Sequence, residues 1–270
     1  MNPVFRCPHC HHPLVEDART FRCASGHLFD RAKEGYVNLL PGGRLRGRPA
    51  GDDEAMVRAR RTVFDAGLYD PIIDAVAAAI GTARPSCVVD VGCGEGSYLT
   101  RAVAESGANG WGVDISKWAI RLAARRHCEH HYAVASSYAL PFADDTFDAL
   151  INVFSPRDFA EMQRVLRVGG IAVVVTPGPR HLAQLKAIIY DDPHEHAEPS
   201  EGNIDSGEPV PDHVDTVSFE LVLDDPALRL CLLEMTPFWW STVPERRDII
   251  ANTPLTVDVD VRLKRYVKST

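Results

Sequence analysis

The chain has 270 residues, 45% of them hydrophobic, with a formal net charge of −8 and seven cysteines. That suffices for one α/β core of more than about 200 residues plus a small appendage. No apolar run approaches the roughly 18 residues of a membrane span, and the N-terminus lacks the charged-then-apolar layout of a signal peptide. The odd cysteine count, with three of them in the first 23 residues, argues against a disulfide framework and for a metal site in a cytoplasmic protein. Residues 1–65 hold 11 Lys/Arg against 8 Asp/Glu, whereas the remainder holds 18 against 29. Only the N-terminal part is therefore suited to a phosphate backbone, and the charge balance neither requires nor excludes RNA.

In chain order, the first signal is Cys7-Pro8-His9-Cys10 followed by Cys23-Ala24-Ser25-Gly26-His27. Two knuckles presenting three thiolates and an imidazole suit a closed, tetrahedral, structural Zn²⁺ site. His9, His11 and His12 are alternative fourth ligands, and a redox pair at Cys7 and Cys10 or free thiols are the competing readings. So short a segment depends on its metal to fold. Residues 28–40 are expected to pack the module's apolar face. Residues 41–53, rich in Gly and Pro and carrying Arg44, Arg46 and Arg48, read as a flexible linker whose arginines either hold RNA phosphates or stay solvated. This places a zinc module at 1–40 and a larger domain at 54–270.

Helical patterns over 54–66 and 71–80 precede strand patterns at 87–91, 110–114, 132–135, 147–153 and 170–176, with helices between them and a late antiparallel pair at 214–223 and 255–267. The first of these strands runs into Asp90-Val91-Gly92-Cys93-Gly94-Glu95-Gly96-Ser97, a glycine turn opening a helix. Such a turn admits close backbone approach of a ligand to a helix N-terminus. Its acidic-x-G-x-G-x-G spacing resembles motif I of class I S-adenosylmethionine-dependent methyltransferases, which makes Asp90, Gly92, Gly94, Glu95 and Gly96 cofactor-side candidates. The next strand closes on Asp114, where a carboxylate can accept both ribose hydroxyls. The expected fold is an α/β, Rossmann-like doubly wound sheet of seven mostly parallel strands, with the chemistry at the strands' carboxyl ends.

The knuckles, the block His27-Leu28-Phe29-Asp30-Arg31-Ala32-Lys33-Glu34-Gly35-Tyr36-Val37-Asn38-Leu39-Leu40, the glycine turn and Thr176-Pro177-Gly178-Pro179-Arg180-His181-Leu182 together resemble the RlmA/TlrB family. Those zinc-containing enzymes methylate N(1) of a guanine in a hairpin loop of 23S rRNA. The resemblance covers nearly the whole chain. It implies S-adenosylmethionine and structural zinc as cofactors, a 23S rRNA hairpin as partner, no membrane, and a link to macrolide resistance in one branch; oligomeric state is left open, a homodimer included. It also implies cofactor-side roles for Tyr69 and His181, and the superfamily pattern implies adenine contact by Ser136 and Ser137 with Leu140-Pro141-Phe142. Asn152-Val153-Phe154-Ser155-Pro156-Arg157 stands where base-methylating relatives carry N/D-P-P-Y/F. Asn152 and Ser155 are thus expected to hold the base edge and Arg157 to stabilise developing negative charge. Ser155-Pro156-Arg157 is similar to the TlrB-type branch. For the general base His181, Asp158 and solvent remain open. Of Trp239 and Trp240, one is expected in the core and one exposed or lining the cleft. The stretch between Tyr190 and Pro211, with His194 and His196, reads as a lid or insertion. Two rivals stay open: a methyltransferase of tRNA or a small molecule, and a non-catalytic protein binding the cofactor and RNA.

Overall fold

The structure, a computed structural model, describes residues 4–17, 19–41, 51–191 and 208–269. The expectations for Arg44, Arg46 and Arg48, and for the stretch around His194 and His196, lie outside the described residues.

At the N-terminus, strands β1 (Val15–Asp17), β2 (Thr20–Arg22) and β3 (Leu28–Asp30) form an antiparallel sheet. Its apolar side chains are too few to close a core. Phe5, Leu14 and Phe21 instead share one buried cluster with Trp111, Ala133, Leu140, Phe142 and Phe147 of the large domain. The Phe5 ring packs against Phe142, tilted, at 5.4 Å between centres, and the Arg6 N–H donates to the Pro141 carbonyl at 2.8 Å.

The next strand, β4 (Val37–Asn38), leaves the module and pairs in parallel with β7 (His131–Val134). The large sheet therefore has eight strands among the described residues, where the sequence predicts seven. Its order is β10-β11-β9-β8-β5-β6-β7-β4. The remaining members are β5 (Cys87–Val91), β6 (Asn109–Asp114), β8 (Phe147–Val153), β9 (Leu166–Pro177), β10 (His213–Leu223) and β11 (Leu255–Val267). Two residues are too few to show a strand period. The free edge of β7 recruits them because Val37 and Leu39 bury completely there and the Leu39 N–H donates to the Val134 carbonyl at 2.9 Å. The segment 28–40 thus ends in the large domain's sheet instead of packing only on the zinc module.

The helices follow local signals. Helix α1 (Glu54–Asp65) is N-capped by Asp53, which accepts the Met56 N–H at 3.0 Å, and α2 (Asp70–Gly81) carries Pro71 in its first turn. Helix α3 (Ser97–Ser106) stops at Gly107, α4 (Lys117–Arg126) is capped by Ser116, and α5 (Phe159–Val165) by Asp158. After α6 (Ala183–Ile189), the β10–β11 pair encloses α7 (Pro226–Glu234), a 3-10 turn (Pro237–Ser241) and α8 (Pro244–Asn252). Helices α1 to α4 and α6 to α8 contribute to the cluster on one sheet face, whereas α5 and the zinc module supply the cover of the other. No helix lies between β7 and β8, and the module fills the face that such a crossover helix would cover.

β6 flanks β5 on one side and β8 on the other, so the strand order reverses between β5 and β8. Their carboxyl ends flank the crevice in which such folds bind ligands.

Candidate functional site

The turn after β5 is pinned to β6: the N–H groups of Gly92 and Cys93 both donate to the Val113 carbonyl, at 2.8 and 3.0 Å. Gly92 (φ +79°) and Gly94 (φ +55°) hold left-handed conformations that favour glycine. Their surroundings differ. A Cβ on Gly92 would lie 1.9 Å from Ser155 Oγ, whereas one on Gly94 would meet only Arg60 Nη1, at 3.7 Å. Gly92 is thus where the turn after β8 closes onto the glycine turn, and Gly94 is the open floor of the crevice. Gly96, also left-handed, backs onto Tyr132 and His127.

The three acidic candidates fall into three different environments. Asp114, at the end of β6, accepts N–H groups from Gly94 at 2.9 Å and Ser116 at 2.7 Å. Burial raises its pKa against the pull of these bonds. It stands beside Gly94, whose N–H it holds. Asp90 is 1% exposed and lies within β5, with Oδ2 lacking a hydrogen-bond partner. Burial, with Asp114 and Glu95 nearby, pushes its pKa well above the ordinary aspartate value. Glu95 is also buried, but ionically: Arg61 of α1 reaches it at 2.7 Å and the Ser97 N–H at 3.2 Å. It clamps α1 to the turn.

At the end of β8, Asn152 is fully buried; its Nδ2 donates to the Val91 carbonyl at 2.8 Å, and its Oδ1 lacks a partner. With no exposed surface this acceptor is out of a ligand's direct reach, so Asn152, expected to hold the base edge, instead braces β8 against β5. Arg157 does not join this group. Its guanidinium lies 5.5 Å over the Phe159 ring and 3.4 Å from Glu208, which also binds Lys264 and Tyr266. Phe154 was not singled out from the sequence, yet it adopts φ +50° and leaves 41% of its surface exposed. A non-glycine residue in this region is strained backbone. Its ring lies 5.4 Å from His181, whose Nδ1 accepts the Asp260 N–H at 3.3 Å. A neutral ring accepting there carries its proton on Nε2. Asp260 also receives the Arg180 N–H at 3.1 Å, and so pins the 176–182 block.

Tyr69 precedes α2, is buried, and stacks on Phe64 at 5.6 Å. Ser136 and Ser137 are half-buried after β7, and Ser136 Oγ accepts the Tyr138 N–H at 3.2 Å. Leu140-Pro141-Phe142 is the seat of the zinc module, as described above. Trp240 is exposed, whereas Trp239 packs against the core under Arg247, whose guanidinium lies 3.8 Å from the ring centre.

The ligand atoms of Cys7, Cys10, Cys23 and His27 lie within 4.8 Å of one another. His27 Nδ1 is 3.5 Å from Cys7 Sγ and 3.4 Å from Cys23 Sγ, and the Sγ atoms of Cys10 and Cys23 are 3.5 Å apart. Bonds of about 2.3 Å to sulfur in a tetrahedron give edges of roughly 3.8 Å, so the set fits Zn²⁺. The Cys10 thiol is pulled down to about 5, chiefly by its hydrogen bonds to the His12 backbone and Ser25, which favours the thiolate a metal needs. Of the alternative ligands, His12 bonds Ser25 at 3.0 Å and His9 stacks on Phe29 at 6.0 Å.

Residues 5–46 match the family model described as the N-terminal part of RlmA, and residues 88–170 match that of a methyltransferase domain. A Micromonospora griseorubida protein, provisionally named a 23S rRNA (guanine-N(1)-)-methyltransferase, is 37% identical over 98% of this chain and 97% of its own. The chain belongs to this 23S rRNA (guanine-N(1))-methyltransferase family. A Bacillus subtilis member, likewise provisionally named, is 30% identical over 96% of this chain and 95% of its own. The Streptomyces fradiae 23S rRNA (guanine(748)-N(1))-methyltransferase is 45% identical, over 67% of this chain and 65% of that relative. Among solved structures, the YcgJ protein of Bacillus subtilis matches with a TM-score of 0.50 at 18% identity, over 72% of this chain and 98% of that one, a likeness of fold alone. The family's cofactors are the two the geometry accommodates: S-adenosylmethionine at the glycine turn and zinc at the knuckles. Among the described residues no helix is long and apolar enough to cross a membrane.

Proposed function

We propose that this protein transfers a methyl group from S-adenosylmethionine to N(1) of a guanine in a 23S rRNA hairpin, as a cytoplasmic enzyme. The observation that carries the reading is the fusion of two sites. The Cys7/Cys10/Cys23/His27 cluster is not tethered beside the domain but built into the sheet face behind the glycine turn, through Phe5, Phe142 and β4. A chain that makes its metal module one wall of a methyl-donor domain points to a large substrate that touches both.

S-adenosylmethionine supplies an electrophilic methyl group when bound. In this reading Gly94 leaves its floor open, Asp114 takes the ribose hydroxyls, and Ser136 and Ser137 lie on the adenine side. Tyr69, buried against Phe64, shapes the amino-acid end together with His181. Gly92 and Gly96 shape the turn without facing the ligand, and Asp90 and Glu95 support it from beneath. Asn152, buried and bonded to the Val91 carbonyl, braces the end of β8, and Ser155 keeps the turn after it against the cradle. Phe154, resting on His181, offers the target base a face once it has left its stack. Holding nucleophile and methyl in line provides most of the rate, so these are chiefly positioning roles. Of the candidate proton acceptors, Asp158 is committed to capping α5, at 2.9 and 3.2 Å from the N–H groups of Ala160 and Glu161. His181 holds its proton on Nε2. Solvent is the remaining acceptor for the N(1) proton. Residues 1–40 act as the RNA-recognition module, joined through 41–53 to the methyltransferase domain at 54–270.

Mass spectrometry of 23S rRNA from cells with and without the gene, paired with tritiated donor and a hairpin RNA in vitro, tests this reading. Label appearing in tRNA or a metabolite but not in the hairpin would give the reaction to the rival methyltransferase reading. Donor and RNA binding without a methylated guanine would leave a non-catalytic binder.

A further inference from the structure

Arg60 occupies the mouth of the cofactor crevice. From α1 its Nη1 comes within 3.7 Å of the position a Cβ would take on Gly94, and its Nη2 donates to the Met235 carbonyl at 3.2 Å, after the end of α7. It is close enough to Asp114 and Tyr69 for its charge to lower both pKa values against the burial that raises them. The neighbouring Arg61 is committed to the buried Glu95, but Arg60 is partnered by Asp52, and the two side chains are 25% and 26% exposed. Asp52 is held at the start of α4: Gly51 lies against Ile115, and Ser116 Oγ donates to the Asp52 carbonyl at 2.6 Å.

A guanidinium held over the open floor of a cradle by a partly exposed carboxylate is a carboxylate-binding site already filled from within the chain. We infer that Arg60 binds the α-carboxylate of the methyl donor's amino-acid end, and that Asp52 is the internal carboxylate it exchanges for that group. The inference rests on the cofactor reading above. S-adenosylmethionine presents one carboxylate at the end remote from the adenine. Arg60 reaches the glycine floor from the side bounded by α1, α7 and Tyr69, whereas Ser136 and Ser137 lie after β7.

Calorimetry with S-adenosylhomocysteine and its decarboxylated counterpart separates the possibilities, because these ligands differ only in the carboxylate. The wild-type protein is expected to prefer the carboxylate-bearing ligand by about 10- to 100-fold, the range of a charge-assisted contact. In Arg60→Met that preference should collapse towards one, with affinity for the decarboxylated ligand kept within about threefold, which also shows that the cradle is folded. Arg60→Lys should restore part of the preference. If Arg60→Met does not fold, Arg60→Gln is judged by the same ratio. An unchanged preference, or an equal loss of both ligands, overturns the assignment. A wild-type protein that binds neither ligand overturns the cofactor reading itself.

Discussion

Gly92→Ala should damage the fold of the crevice out of proportion to its size, and Ser155→Gly should repair most of the damage. The added Cβ would lie 1.9 Å from Ser155 Oγ and 2.4 Å from Ser155 Cβ, so no rotation of the hydroxyl relieves the clash and the 154–156 backbone must move. Forcing a non-glycine residue into the left-handed region costs about 1–2 kcal/mol, and overpacking a filled site adds about 1–3 kcal/mol. The single variant should therefore lose roughly 2–5 kcal/mol. Adding Ser155→Gly removes both clashing atoms and leaves only the backbone term, so a double-mutant cycle in urea should return a coupling of about 1–3 kcal/mol. Methyl transfer to the hairpin should follow the same pattern, because the displaced turn carries Phe154, which offers the target base its face. A coupling indistinguishable from zero would show that Ser155 is not what fills the Gly92 position, and would refute the account of how β5 and β8 close on each other.

Gly94→Val is the contrasting case. Its Cβ meets open space apart from Arg60, so stability should fall only by the backbone cost of about 1–2 kcal/mol, while donor binding is abolished; a variant that binds donor normally would remove Gly94 from the cradle. Cys10→Ala should release zinc, read by elemental analysis, and weaken both hairpin binding and the fold of the β7 edge; full rRNA activity in a zinc-free variant would make the module dispensable. Asp90→Asn tests the buried acid. Because its folded pKa is raised, the unfolded chain gives up the proton first, and wild-type stability erodes as pH climbs from about 4, the unfolded value, towards the folded pKa. Asp90→Asn lacks that slope, so its stability relative to wild type should rise with pH in chemical denaturation; a pH-independent difference would mean that Asp90 is ionised in the native state.

What could be read from the sequence is what local geometry encodes. The Cys7-to-His27 spacing is a ligand set whichever way the chain folds around it, and the Asp90-to-Ser97 run must be a strand, a glycine turn and a helix start. Asp114 follows because an acidic residue is expected to close the next strand of such a fold. Phe154 was within reach, since it stands inside a segment already suspected, but its left-handed backbone and its exposure belong to the folded crevice. Glu95, Arg157 and Asp90 show the limit more plainly. Each has the right residue type in the right segment, and each is directed by a partner far away in the chain: Arg61 of α1, Glu208 after the undescribed stretch, and the buried ground beneath the turn.

Sequence alone therefore determined the chemistry available to this protein, namely a thiolate-imidazole metal site, a backbone cradle and the order of strands that supports it, because short-range spacing and period are properties of the chain itself. Tertiary structure decided how those parts are used. The zinc module covers the helix-free face between β7 and β8, β4 adds an eighth strand, and Arg60 is set over Gly94 opposite Asp52. Burial and ion pairing are settled between residues brought together only when the sheet closes, and no local pattern in the chain records which of them will meet.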